Sequence, residues 1–223
     1  QTVIMIDGVR LTDPSSVNNT PDLSELSLAD VDRIEIVRGS HSTMFGSAAV
    51  GGVVNIITRR SQQPGFHATI QTTGGTFGKS TSAFSENVAL NYTLKNGFYV
   101  NADLYNTNIS GLDATVDTVT VPVPNSPVRD RDRFDKMDVS ARLGFRNAKW
   151  DGYGSFRLSQ QVADIDDRAY GDDDNYTLDF NRNLTTYGLA FKPNDNFSVR
   201  FFGGFTQLER FTQRFHAQPN LAS

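Results

Sequence analysis

The strongest constraint on this chain is a period of two. Phe98, Val100, Ala102 and Leu104 alternate with Tyr99, Asn101, Asp103 and Tyr105. Met137, Val139, Ala141, Leu143 and Phe145 alternate with Asp138, Ser140, Arg142, Gly144 and Arg146. Val88, Leu90, Tyr92 and Leu94 repeat the pattern, as do Tyr187, Leu189 and Phe191, and then Phe197, Val199, Phe201 and Phe205. Successive side chains of a strand point to opposite faces, so each run is a strand with one apolar and one polar face. Strands are predicted near residues 66–73, 80–94, 98–107, 134–146, 153–163, 184–192 and 197–211.

Two-faced strands build soluble sandwiches as well as membrane barrels, and the connections separate the two. Lys95-Asn96-Gly97, Asn147 to Gly152 and Pro193 to Asn196 are short, as is Gly74 to Lys79. Asn108 to Arg133 and Asp164 to Asn183 are long and polar. After the first link, short and long alternate, as in outer-membrane barrels with tight periplasmic turns and long extracellular loops. Aromatics near strand ends (Phe77, Phe98, Phe134, Trp150, Tyr153 and Phe197) suit interfacial girdles. Arg142, Arg146 and Arg157 fall on the polar face. A polar lumen accommodates them, whereas a sandwich core would have to exclude or pair them.

The residues before these strands are of another kind. Every aromatic residue except Phe45 falls at or after residue 66. Ser61-Gln62-Gln63-Pro64-Gly65 is a polar stretch closed by a turn dipeptide. The expected organisation is therefore a unit over 1–60, a linker over 61–65 and a strand region over 66–223. In the first unit, Val3 to Ile6 reads as a buried strand that turns at Asp7-Gly8. Pro21-Asp22 followed by Leu23, Leu26 and Ala29 suggests one or two helical turns. Val31 to Val37 and Val53 to Thr58 read as two more strands. The result is a small mixed α/β unit with too few apolar residues for a large core of its own.

Several chemistries are excluded or disfavoured. No cysteine is present, so there is no disulfide framework and no thiolate metal site. A net charge of −4 does not suit a nucleic-acid binder. No run approaches the ~20 apolar residues of a membrane-spanning helix. The glycines Gly39, Gly46, Gly51 and Gly52 do not form a phosphate loop, since no lysine precedes Lys79. His41, His67 and His216 are too scattered for a metal site or a catalytic triad.

Four stretches of the first unit, in order, carry a resemblance: Ile6-Asp7-Gly8-Val9-Arg10, Val31 through Gly39, Met44-Phe45-Gly46-Ser47, and Gly51-Gly52-Val53-Val54-Asn55-Ile56-Ile57-Thr58. Together they resemble the C-terminal half of the plug domain of TonB-dependent outer-membrane receptors. Ser40 departs from the proline usual after Arg-Gly, and Ala48 stands where Asp or Asn is common. The resemblance implies that 66–223 is the first part, about seven strands, of a transmembrane antiparallel β-barrel. It also implies a Gram-negative outer-membrane location and contact with outer-membrane lipid. The activity implied is transport, not catalysis: TonB-driven import of a scarce nutrient, cobalamin or a ferric siderophore, with no cofactor required. The layout from Gly8 to Phe205 is most similar to cobalamin-importing members, and siderophore receptors share much of it. The Ton box that TonB grips is expected upstream of this chain. A passive porin-like channel and a soluble adhesin-like β domain are the alternatives.

Three groups of candidate site residues follow. Thr12 to Pro21 is long, polar and without core residues. By the resemblance, Ser15, Ser16, Asn18 and Asn19 fall in an apical plug loop that touches the nutrient; the other reading is a solvated connector. Arg10, Arg33, Glu35 and Arg38 are expected at plug-to-barrel contacts, unless Arg33 and Glu35 pair only with each other. Asp164, Asp166, Asp172 and Asp174 are candidate Ca²⁺ ligands in the loop 164–174, since a hard cation takes flexible carboxylate oxygens. The other reading there is a solvated acidic loop.

Overall fold

A computed structural model describes residues 2–14, 16, 19–39, 49, 51–60, 63–77, 81–112, 132–165 and 176–214. Two sheets account for nearly all of them. The first has the order β2-β1-β4-β3, from β1 (Thr2–Ile6), β2 (Val9–Arg10), β3 (Val31–Arg38) and β4 (Gly52–Thr58). Asp7 and Gly8 form the two-residue link between β1 and β2, both at positive φ (50° and 86°), which is the backbone of a tight hairpin turn. β1 then pairs in parallel with β4, from Thr2 opposite Gly52 to Ile6 opposite Ile56. Burial on both faces explains why β1 is an unbroken apolar run. Val3 and Met5 pack with Ala49 and Val53, while Ile4 and Ile6 pack with Leu11, Ile56 and Leu184. In place of the expected α-helical turns there is a single 3-10 turn, Leu23–Glu25, started by the Asp22 carboxylate. It accepts the Ser24 N–H at 2.9 Å, and that bond holds the Asp22 carboxyl below its usual pKa.

The second sheet is an antiparallel meander of seven consecutive strands with β5 and β11 at its edges. These are β5 (Gly65–Phe77), β6 (Thr81–Thr93), β7 (Phe98–Leu112), β8 (Asp132–Arg146), β9 (Trp150–Asp164), β10 (Tyr176–Asn194) and β11 (Phe197–Arg214). All seven expected strands are present, and several are longer than the hydrophobic alternation indicated. β10 begins at Tyr176, inside what reads as loop, because its upper part is polar outside (Asp179, Asn181, Asn183) and partly apolar inside (Phe180, Leu184).

The outer face records where apolar surroundings stop. Glu86, Asn106, Met137, Gln160, Asn181 and Glu209 are successive cross-strand partners in one row on that face. Toward the short turns the rows become apolar. One joins Leu90, Ala102, Ala141 and Phe156, the next Tyr92, Val100 and Leu143, and the next Phe98, Phe145, Gly152, Leu189 and Phe201. Aromatic contacts close the band at the turn end, Phe98 with Phe145 at 5.8 Å and Trp150 with Phe191 at 4.3 Å between ring centroids. The band spans about ten residues along a strand, the length of a tilted membrane strand. Val100, Leu104 and Leu143 on this face are exposed, and the first sheet packs on the opposite, polar face through Leu184 and the ion pairs described below.

The β6–β7 turn depends on Gly97. Its φ is +93°, and a Cβ there would lie 1.9 Å from the Arg146 carbonyl oxygen. That carbonyl belongs to the residue whose N–H donates to the Gly97 oxygen at 2.9 Å. Gly97→Ala should therefore cost about 2–3 kcal/mol. It should lower the urea midpoint of the full-length protein in detergent, with Asn96→Ala as a milder comparison.

Candidate functional site

Where the two sheets meet, carboxylates of the first face arginines of the second at three heights. Nearest the short turns stands Asp7, whose side chain is fully buried. The Thr58 backbone N–H and hydroxyl donate to it at 3.0 and 2.7 Å. Arg142 of β8 donates from the other side to both Asp7 and the Thr58 hydroxyl. Arg60 approaches Asp7 to 3.9 Å. The guanidinium groups of Arg142 and Arg60 lie over the Tyr153 ring, 4.4 and 4.9 Å from its centroid. Asp7 is thus both turn residue and anchor, and one side chain ties hairpin, β4 and wall together.

Asp30 sits at mid-height. Arg157 of β9 donates to its carboxylate, and the Ser140 hydroxyl donates at 3.3 Å. Asn87 of β6 donates to the Ala29 carbonyl at 3.4 Å, and Lys136 of β8 to the Ser24 carbonyl at 3.0 Å. Arg59 lies 3.8 Å from Asp103 of β7. A cavity of about 20 Å³ opens between Asp7, Asp30, Asp103, Arg142 and Arg157. It is polar and large enough for a water molecule.

Glu25 occupies the upper level. Arg182 of β10 donates to one of its oxygens at 2.8 Å, and Arg210 of β11 to the other. Arg210 also donates to Asp13 at 3.1 Å. Both guanidinium groups flank the buried Phe180 ring, at 4.9 and 5.6 Å. Four consecutive strands thus each supply one inward arginine, and the first sheet and its loops supply four carboxylates. Charges that leave water need such partners, and an electrically matched seam holds one particular docking geometry.

Arg142 and Arg157 are among the inward arginines read from the sequence, whereas Arg146 pairs with Asp151 at 2.8 Å. The residues marked for plug-to-wall pairing stand elsewhere. Arg33 pairs with Asp32 and Glu35 on its own exposed strand, each at 2.9 Å, and Arg10 and Arg38 are exposed. The sequence reading missed Asp7, Asp13, Glu25 and Asp30. Their one signal was charge: residues 1–65 carry seven acidic residues against five basic ones. Arg210 was legible only through its inward place on the last predicted strand, and Arg182 fell in what reads as loop.

In the loop 12–21, Ser15 and Asn18 lie outside the described residues. Ser16 accepts the Asn19 N–H at its carbonyl (3.1 Å), and its hydroxyl reaches the Thr20 and Asp13 carbonyls at 2.6 and 3.0 Å. Asn19 is exposed at φ 53°. Among its described residues, Asp13, Ser16, Asn19 and Thr20 bond to one another, and Asp13 is tied to Arg210. Of the candidate calcium ligands, Asp166, Asp172 and Asp174 lie outside the described residues. Asp164 accepts the Arg133 backbone N–H at 2.9 Å. Among the described residues no three His, Asp or Glu side chains form a metal-sized group.

Comparison with known proteins fits this geometry. Residues 1–53 match the family model of the TonB-dependent Receptor Plug Domain. The vitamin B12 transporter BtuB of Vibrio cholerae serotype O1 is 44% identical over 66 residues, 29% of this chain and 10% of that protein. The ferric citrate transporter FecA superposes with a TM-score of 0.72 at 20% identity, over 97% of this chain and 32% of that one. The siderophore receptor PirA from Pseudomonas aeruginosa gives 0.67 at 19% identity, over 95% and 33%. The chain thus spans a tenth of the curated relative's length and about a third of each solved chain. With residues 1–53 matching that plug model and docked on one face of a seven-strand antiparallel meander, the chain is similar to the plug and first wall strands of TonB-dependent receptors.

Proposed function

We propose that this chain is the plug segment and first wall strands of a receptor importing cobalamin or a ferric siderophore across a Gram-negative outer membrane, powered through TonB. The observation that carries the reading is the matched seam of Asp7, Glu25, Asp30 and Asp13 against Arg142, Arg157, Arg182 and Arg210. A stopper must stay seated without force and yield when pulled. Polar and ionic contacts suit this better than a continuous apolar core, because water can take over the partners of each charge as the plug shifts. Arg10, Arg33, Glu35 and Arg38, exposed here, are the charges that further wall strands would meet.

Cobalamin is favoured by the similarity to the vitamin B12 transporter over 66 residues, and a ferric siderophore by the fold shared with iron-chelate receptors. The test is uptake of labelled cobalamin and of ferric siderophores by cells carrying the full-length gene, with and without TonB. Import of one cargo that stops without TonB supports the proposal. TonB-independent permeation by unrelated solutes would point to a passive channel. Within it, Ser16 and Asn18 are proposed to touch the cargo. Ser16→Ala with Asn18→Ala should weaken equilibrium binding about tenfold, the worth of one to two lost hydrogen bonds, while leaving the yield of folded barrel unchanged. Unchanged affinity would remove these residues from the site.

A further inference from the structure

We infer that the outer wall carries a seat for one anionic phospholipid of the periplasmic leaflet, on the lipid-facing side of β6 to β10. A groove of about 540 Å³ runs there, within the range of sites that hold a small ligand. Its walls include Leu94, Phe98, Leu143, Phe145 and Leu189, and Gly154 contributes to its floor. In the rows of the sheet, Gly154 stands opposite Leu143 on one side and Tyr187 on the other. It therefore interrupts a row of large side chains. A Cβ at Gly154 would meet nothing within 4 Å, so the space above it is open. At the neighbouring Gly152 the same space is already filled by Phe145 and Leu189.

The groove lies inside the apolar band, and it ends at the short turns, which are periplasmic in outer-membrane barrels. There the aromatic belt of Phe98, Phe145 and Trp150 marks headgroup depth. Two lysines stand at that end. Lys95 is in the turn between Leu94 and Phe98, and Lys149 immediately precedes Trp150. Both side chains are exposed and have no acidic partner among the described residues, whereas Lys192 is paired with Asp195 at 2.9 Å. An apolar slot with unneutralised cations at its headgroup end is complementary to an acyl chain beneath an anionic phosphodiester. A zwitterionic lipid would satisfy the slot and not the charge. Flexible acyl chains fill irregular grooves, whereas a second copy of the wall would have to match the groove rigidly.

The inference rests on the membrane reading of the outer face, and the experiment separates the two. Full-length receptor in detergent is titrated with phosphatidylglycerol or phosphatidylcholine of identical chains and followed by native mass spectrometry. Folding is scored independently by the heat-modifiable shift on electrophoresis. The wild type should retain one phosphatidylglycerol in preference to phosphatidylcholine. Gly154→Leu places a side chain in the slot, starting from a Cβ position that is open, and should remove that adduct while keeping the heat-modifiable fold. Lys95→Glu with Lys149→Glu should lower phosphatidylglycerol retention about tenfold and leave phosphatidylcholine unchanged. Equal retention of both lipids by the wild type, an unchanged adduct in Gly154→Leu, or a receptor dimer that Gly154→Leu dissolves would overturn the lipid seat. Loss of the heat-modifiable barrel in the wild type would instead contradict the membrane reading itself.

Discussion

Arg142→Ala in the full-length receptor is expected to unseat the plug. The substitution removes the buried partner of a carboxylate with no solvent contact: the Asp7 side chain is 0% exposed and that of Arg142 6%. Asp7 keeps the two Thr58 donors and a distant Arg60 at 3.9 Å, which do not replace a guanidinium in contact. Breaking a buried pair from one side costs about 3–5 kcal/mol, most of it from the stranded charge. The cation over Tyr153 is lost as well. The readout is conductance of single receptors in planar bilayers under rising urea. Open events should begin at lower urea in Arg142→Ala than in the wild type. Arg142→Met combined with Asp7→Asn should recover much of the loss, since neither charge then stays buried, and Asn tolerates the positive φ at position 7. Arg33→Ala is the contrast. Its partners Asp32 and Glu35 lie on its own strand rather than on β8 to β11, so the change should leave the pairing of Arg142 with Asp7 intact.

Glu25→Ala should be as damaging for a different reason, because one carboxylate serves two arginines. Arg182 donates to one oxygen and Arg210 to the other. Without Glu25, Arg182 has its side chain 3% exposed, with the Phe180 face as its remaining contact described here. Arg210 retains Asp13. The expected cost is again about 3–5 kcal/mol. Asp13→Ala should cost less, since it leaves both arginines on Glu25. Asp13 also anchors the loop that holds Ser16 and Asn19. Its loss should therefore weaken cargo binding more than plug seating, and Glu25→Ala should show the reverse order. Equilibrium binding and urea-dependent conductance on the same two variants check this.

The wall was legible in the sequence where lipid and lumen make opposite demands. From Phe98 to Leu104, and from Met137 to Phe145, apolar and polar residues alternate, and strand, face and register follow directly. Above the row from Glu86 to Glu209 the outer face becomes polar and the alternation fades, so β10 was read too short by eight residues, Tyr176 to Asn183. The hairpin at Asp7-Gly8 was visible because a two-residue turn with positive φ has a strong local signature. The seam was not visible. Asp7, Glu25 and Asp30 sit in a turn, a 3-10 turn and a loop end, where acidic residues are ordinary for local reasons. Only docking on β8 to β11 shows that each faces an arginine. Arg33 and Glu35, marked for plug-to-wall contacts, pair with each other on β3, away from the arginines of β8 to β11.

The central claim is that the plug segment rests on the polar face of the seven-strand sheet, and cysteine cross-linking tests it most directly. The chain has no cysteine of its own. Asn87 of β6 donates to the Ala29 carbonyl at 3.4 Å, so the two positions are neighbours across the interface. Its sequence neighbour Val88 points to the outer face. In a cysteine-free full-length receptor, Ala29→Cys with Asn87→Cys should be joined by a short bismaleimide, and Ala29→Cys with Val88→Cys should not. Cross-linking through position 88 and not 87 would place the plug on the opposite face and contradict the account.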